Sequence, residues 1–317
     1  MTENQPSNTD AILGGQALLS VNAAVLGGAL GAKRKLAHEL GLSDELTAEL
    51  SRTHDIFSFE TVTVNDRGDI IDRQRKQAFY YTENLGDGIE LEMVYIPAGR
   101  LSYGYGAEAT IDIPSFHIGK YPITQAQYQA IVGKNPAYFK VSKGYPYSNR
   151  MPVEQIFWQD TQEFCSLLNT KTGRKYKLPD EFQWEYACRA GTKTTFYFGD
   201  VINEYLVNCM TYQFTSARDW KRTTTVGLFP PNNFGLYDLH GNVWEWCEDR
   251  QPEKPKSDFG NPRGVVWDLE RKNNLIKGGA WNIATPECSA AFRAAATIVE
   301  KQTHGLCNCV GFRVICI

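Results

Sequence analysis

The loop GLYDLHGNVWEW, residues 235–246, places two carboxylates, Asp238 and Glu245, on either side of the turn-forming pair Gly241-Asn242. Two carboxylates and several backbone carbonyls in one loop are hard oxygen donors of the kind Ca²⁺ prefers. The same residues also have a structural reading, in which Trp244 and Trp246 enter a core and the carboxylates cap turns. Thiols are the second source of chemistry. The eight cysteines are Cys165, Cys188, Cys209, Cys247, Cys288, Cys307, Cys309 and Cys316, and none stands in a repeated CxxC frame. The chain is too long to read as a disulfide scaffold, so mostly reduced, partly buried thiols are expected. Cys307, Cys309 and Cys316 cluster near the end. A lone CxC is a weak zinc or copper signal, and small free Cys is among the most buried residue types. The histidines His38, His54, His117, His240 and His304 form no clustered pattern. Nucleophile elbow, P-loop and dinucleotide fingerprints are absent from the sequence.

These groups need elements to hold them. The first ten residues are polar and read as disordered. Residues 11–32 form an apolar, Gly-rich run followed by Lys33-Arg34-Lys35. The run is about long enough to span a bilayer, but Gln16, Ser20 and Asn22 interrupt it. A segment docking on an apolar partner is therefore expected over 11–56, not a membrane span. No basic n-region precedes the run, so a cytoplasmic protein is expected. Residues 33–40 carry Leu36, Ala37 and Leu40 at helical spacing with Gly41 as C-cap, and Ser43 caps a second short helix. Residues 57–85 alternate and turn at Asn65-Asp66-Arg67-Gly68, which predicts a β-hairpin. Residues 93–99, MVYIPAG, read as a strand ended by Pro97 and Gly99. Helices are predicted over 160–169, with Gly173 just beyond, and over 179–190, with Pro179 near the start and Gly191 after the end. Beyond Thr192 turns dominate. The fold class is α+β, with a 1–56 N-terminal segment, a 57–89 hairpin leader and a 90–317 main domain. Of the 317 residues, 42% are hydrophobic and 22% charged, and the net charge of −3 supplies no field to draw nucleic acid or an anionic membrane.

Six stretches in order carry a resemblance: MVYIPAG at 93–99, YPITQAQY at 121–128, the run from MPVEQIFW to ACRAGT at 151–192, NNFGLYDLHGNVWEWCEDR at 232–250, KGGAWN at 277–282 and GFRV at 311–314. Together they resemble the formylglycine-generating-enzyme, or sulfatase-modifying-factor, family. The resemblance implies a C-type-lectin-like fold, with two helices beside small twisted antiparallel sheets and long loops. In that family the 235–246 loop binds calcium, and the matching positions are Asp238, Gly241, Val243 and Glu245. The family's enzyme oxidises a substrate Cys with copper held by two of its own thiolates, five residues apart. Soft Cu(I) needs such ligands. Counted from Gly278, the two positions here are Ile283 and Cys288. Ile283 cannot ligate copper, so the pair is broken and Cys288 alone is a weak catalytic candidate. An iron-dependent branch of the family uses a three-His site, for which these histidines show no pattern.

The segment 281–314 keeps the family's frame at Gly278, Gly279, Trp281, Cys288, Arg293, Gly311, Phe312 and Arg313, but its filling is unusual. Small, aliphatic and aromatic residues stand where polar Asn and Arg are usual. This resembles the variable proteins of diversity-generating retroelements, whose C-type-lectin-like domain ends in GFRV-like sequence. Mutagenesis of template adenines there places varied residues at fixed sites. The resemblance implies a recognition surface over about 281–309. Its candidate positions are Ile283, Ala284 and Thr285, then Ser289, Ala291, Phe292 and Ala294, and finally Thr297, His304, Leu306 and Asn308. Exposed loops on a rigid scaffold normally carry recognition, which fits a protein or other ligand as partner. The alternatives are a partly buried apolar stretch, and a copper-dependent oxidase or other enzyme of the same family.

Overall fold

The turn at Asn65 is set by its own side chain. Asn65 Oδ1 accepts from the backbone N of Arg67 at 2.9 Å and of Asp69 at 3.0 Å, and Gly68 adopts φ +83°. It joins β1 (Asp55–Val64) to the long β2 (Ile70–Gly86). Gly86-Asp87-Gly88, all with positive φ, turns β2 into β3 (Ile89–Ile96). In this computed structural model the described residues are 28–103, 109–203, 205–210, 221–250, 274–295 and 308–317. Residues 1–27, which include most of the apolar run, lie outside them, as do the positions Thr297, His304, Leu306 and Cys307.

The chain divides into two units, Met1–Ile56 and Phe57–Ile317. In the first, α1 covers residues 28–39 and α2 spans Asp44–Thr53. Gly41 adopts φ +65° where Leu42 N donates to Ala37 O, and Ser43 Oγ accepts from Leu46 N to cap α2. Among the described residues no helix is long and apolar enough to cross a membrane.

In the second unit β4 (Gly99–Tyr103) pairs with β5 (Ala109–Ile113), and β6 (Phe116–Gly119) lies against β3. Three helices follow: α3 (Gln125–Val132), α4 (Trp158–Thr172) and, after β7 (Tyr176–Lys177), α5 (Glu181–Arg189). Then come β8 (Trp244–Arg250), β9 (Asn274–Lys277), β10 (Arg293–Ala295), β11 (Val310–Gly311) and β12 (Ile315–Cys316). One sheet runs β1-β2-β3-β6-β12-β7 and a second runs β10-β9-β8-β11. The last strand of the chain thus inserts antiparallel between β6 and β7. The 57–89 hairpin joins the sheet of the main domain, where β2 pairs with β3 from Tyr80↔Val94 to Gly86↔Ile89.

β3 explains the two-sided core. Side chains alternate along a strand, so Leu91 and Met93 enter one buried cluster while Val94 and Ile96 enter the other. Tyr128, Phe164, Trp244 and Phe312 fill the first of these, and Trp184, Leu236 and Leu239 the second. The helices at 160–169 and 179–190 were expected. Gly173 ends α4 in the left-handed region at φ 73°, and Asp180, just after Pro179, caps α5 by accepting from Gln183 N. α3 was not expected, and Thr124 with Gln127 forms its capping box.

Candidate functional site

The carboxylate loop leads into β8 of the second sheet, and its acids are already engaged. Glu245 Oε2 accepts from Arg313 Nε at 2.7 Å and from Trp184 Nε1 at 2.7 Å, while Oε1 accepts from Arg313 Nη2 at 2.7 Å. Arg313 also donates to the carbonyls of Gly119 and Tyr237, so a buried guanidinium and a buried carboxylate satisfy each other within one network. Asp238 adopts φ +55°, and its carboxylate accepts from Gly227 N at 2.7 Å and Asn242 Nδ2 at 3.2 Å. Burial pushes its acid up to about 6. Gly241 N donates to Gly278 O, and the Val243 side chain is buried. As placed, Glu245 presents no oxygen clear of Arg313, so a calcium ion at this loop would have to displace that guanidinium. Among the described residues no group of three or more His, Cys, Asp or Glu side chains could hold a metal.

The family frame pins the C-terminal segment to this base. Gly278 and Gly279 take φ +92° and +74°, and a Cβ on Gly279 would lie 2.8 Å from the Cα of Cys288. Trp281 N donates to Asn242 O, its Nε1 donates to Asn308 O at 3.0 Å, and its ring stands edge-on to Phe139 at 5.7 Å. Arg293 grips both oxygens of Glu181 on α5 at 2.9 and 2.8 Å. Gly311 approaches Val153 O so closely that a Cβ there would sit 2.6 Å away.

Between these anchors stand the residues proposed for recognition. Ile283, Ala284, Thr285, Ser289, Ala291, Phe292 and Asn308 are all half-buried. Ile283 packs against both core clusters, and the Phe292 ring lies 6.0 Å from that of Trp244. Ala294 departs from the expectation. It belongs to β10, opposite Ile276, and is only 6% exposed, because antiparallel pairing turns its side chain into the core. It cannot meet a ligand without reopening that packing.

Ile283 supplies no donor atom, and Cys288 is fully buried at the end of the 3₁₀ turn Thr285–Cys288. Beside it lies a thiol the sequence did not link to it. Cys209 is half-buried and packs against the core cluster that holds Cys288, with the two thiols facing each other. No local spacing could have joined two positions so far apart in the chain. Cys209 and Cys288 are free of disulfides, as are Cys165, Cys188, Cys247 and Cys316, whereas Cys309 is disulfide-bonded, contrary to the expectation for that cluster.

A buried Arg–Glu brace, a Trp–Asn-pinned segment and a two-faced small sheet define a C-type-lectin-like domain. The chain belongs to the sulfatase-modifying factor enzyme 1-like domain family, which matches residues 87–316. It is 29% identical over 177 residues to the formylglycine-generating enzyme of Mycobacterium tuberculosis, covering 52% of this chain and 56% of that one. It is 32% identical over 170 residues to the inactive C-alpha-formylglycine-generating enzyme 2 of Mus musculus, covering 51% of this chain and 48% of that one. The chain therefore spans about half the length of these relatives. Among solved structures it resembles Treponema denticola variable protein 1, with a TM-score of 0.61 at 22% identity, covering 75% of this chain and 98% of that one. At that identity the likeness is one of fold.

Proposed function

We propose that this chain is a non-catalytic binding protein whose segment 281–309 forms a diversified recognition surface on a C-type-lectin-like scaffold, as in retroelement variable proteins. The observation that carries the reading is Ile283. The family's oxidase chemistry needs a thiolate at that position, and here it holds an aliphatic side chain packed against both core clusters. The frame residues are fixed by glycine close approach, by the Trp281–Asn308 hydrogen bond and by the Arg313–Glu245 pair. The filling residues are half-buried in between, where side chains can change with little cost to the fold. The fold likeness to a protein named as variable supports the same reading. Residues 11–56 are proposed to dock on a protein partner.

A genomic test is direct. The reading expects a near-copy of the last coding segment downstream, together with a reverse-transcriptase gene. It also expects sibling isolates to differ at Ile283, Ala284 and Phe292 while keeping Trp281 and Arg313. Absence of both the template copy and the reverse transcriptase overturns it.

A further inference from the structure

The segment ending at Met210 is held from two sides. Asn208 bridges to Gly241, and Asn242 N donates to Asn208 O at 2.8 Å. One residue further, Met210 bridges to Ala284 and its N donates to Ile283 O at 2.9 Å. Cys209 lies between these clamps, which bring it to the Thr285–Cys288 turn. Its thiol there lies against the side chains of Cys288 and Thr285. Gly279 lies so close to Cys288 that a Cβ there would meet the sulfur.

We propose that Cys209 and Cys288 form a redox-active dithiol that closes reversibly to a disulfide when a peroxide supplies the oxidising equivalents. The two residues divide the work by exposure. Cys209 is half-buried and the more exposed of the two, and Cys288 is fully enclosed. Contact with the Cys288 side chain also draws the Cys209 thiol below its ordinary value, whereas the same contact and burial push Cys288 above its own. Cys209 is therefore the attacking thiolate and Cys288 the resolving thiol. The thiolate of Cys209 attacks one peroxide oxygen, the O–O bond breaks, and a sulfenic acid and hydroxide form. The Cys288 sulfur then attacks the sulfenic sulfur. It loses its proton, the S–OH bond breaks, and water leaves. In total two thiols are oxidised and one peroxide is reduced to two waters. The disulfide fastens the 207–210 segment to the turn beneath Ala284 and Thr285. The chemistry depends on the two thiols alone and stands whether or not the neighbouring surface is diversified.

The test uses the full chain, reduced and then treated with one equivalent of hydrogen peroxide. It is quenched with an alkylating agent after unfolding and mapped by peptide mass spectrometry. A linked peptide pair joining Cys209 to Cys288 is expected, lost on reduction and absent from Cys209→Ser. The Cys209 thiol should disappear roughly tenfold or more faster than that of Cys165, whose thiol burial raises to about 12. Cys209→Ser changes a half-buried position, so its melting temperature should stay close to that of the parent and the comparison holds between folded proteins. Recovery of Cys288 alkylated and Cys209 either alkylated or over-oxidised, with no linked pair, overturns the proposal.

Discussion

Arg313 meets Glu245 through two hydrogen bonds of 2.7 Å, with side-chain exposures of 0% and 1%. The Trp184 indole adds a third donor at 2.7 Å. Removing one partner of such a pair leaves the other charge buried and uncompensated, a cost of about 3–5 kcal/mol. Arg313→Met should therefore lose about that much in urea unfolding. Combining it with Glu245→Gln should restore part of the loss, since neither charge then remains. A single-variant cost below about 1 kcal/mol would mean that water reaches the pair.

Gly279 and Cys288 make a second, steric pair. Gly279 combines φ +74° with a backbone approach of 2.8 Å from its would-be Cβ to the Cys288 Cα. An Ala there meets main chain, which cannot swing aside as a flexible side chain can. Gly279→Ala should destabilise by about 2 kcal/mol or more, from left-handed strain and overpacking together. Cys288→Ala in the same background should relieve only the sulfur contact and leave most of that loss, as thermal unfolding of both variants would reveal.

Much of this was legible in the sequence. The caps of α4 and α5 are written in Gly173 and in Asp180-x-x-Gln183, and six ordered motifs carried the family. α3 was missed because QAQYQAIV has little apolar periodicity, although Thr124-x-x-Gln127 is a readable capping box. The insertion of β12 between β6 and β7 rests on a two-residue pairing that no local pattern encodes. At the site, Asp238 and Glu245 stand out in the sequence as carboxylates in a Trp-rich loop, and the fold buries both. What sequence could not reveal was that Arg313 occupies Glu245, or that Cys209 reaches Cys288. Both depend on side chains that meet only after folding. Ala294 was misread for the same reason, since its burial comes from the partner strand.

Acid sensitivity should divide between two buried groups. His240 Nδ1 donates to Cys288 O at 2.7 Å, and Nε2 accepts from Tyr197 N at 3.1 Å, which fixes a neutral ring with its proton on Nδ1. Burial lowers its pKa to about 3. The unfolded chain then binds this proton more tightly, so stability falls as pH drops from about 6.5 toward 3. Asp238 is raised to about 6 by burial, so the folded chain holds its proton more tightly. Its contribution is greatest at low pH and is lost as pH rises from about 4 to about 6. The two oppose each other between about 4 and 6. Asp238→Asn removes one of them, so its melting temperature should fall more steeply with acid over that window than that of the parent. Parallel curves would contradict the assignment.

With Glu245 held by Arg313, added calcium would have to break that buried pair to gain a second carboxylate. A ligand bound only by the folded state raises its stability by RT ln(1 + [L]/Kd). Millimolar Ca²⁺, compared with a chelator, should therefore leave the melting temperature at pH 7 unchanged within about 1 °C. A reproducible rise that vanishes in Asp238→Asn would restore the loop as a calcium site.

A diversified surface must accept change at its own positions and refuse it next door. Ala284 and Ser289 are half-buried on the segment between the anchors, whereas Ala294 lies in β10 opposite the buried Ile276. Ala284→Ser and Ser289→Tyr should each shift unfolding by less than about 1 kcal/mol, the usual range for substitutions away from tightly packed sites. Ala294→Tyr places a large ring into a closed strand pair and should cost about 3 kcal/mol or more through overpacking. Equal tolerance at all three positions would mean that β10 opens readily, and Ala294 would then return to the recognition surface. Equal intolerance would argue that the segment is ordinary core, because a scaffold that cannot vary residues 284 and 289 cannot use them to change what it binds.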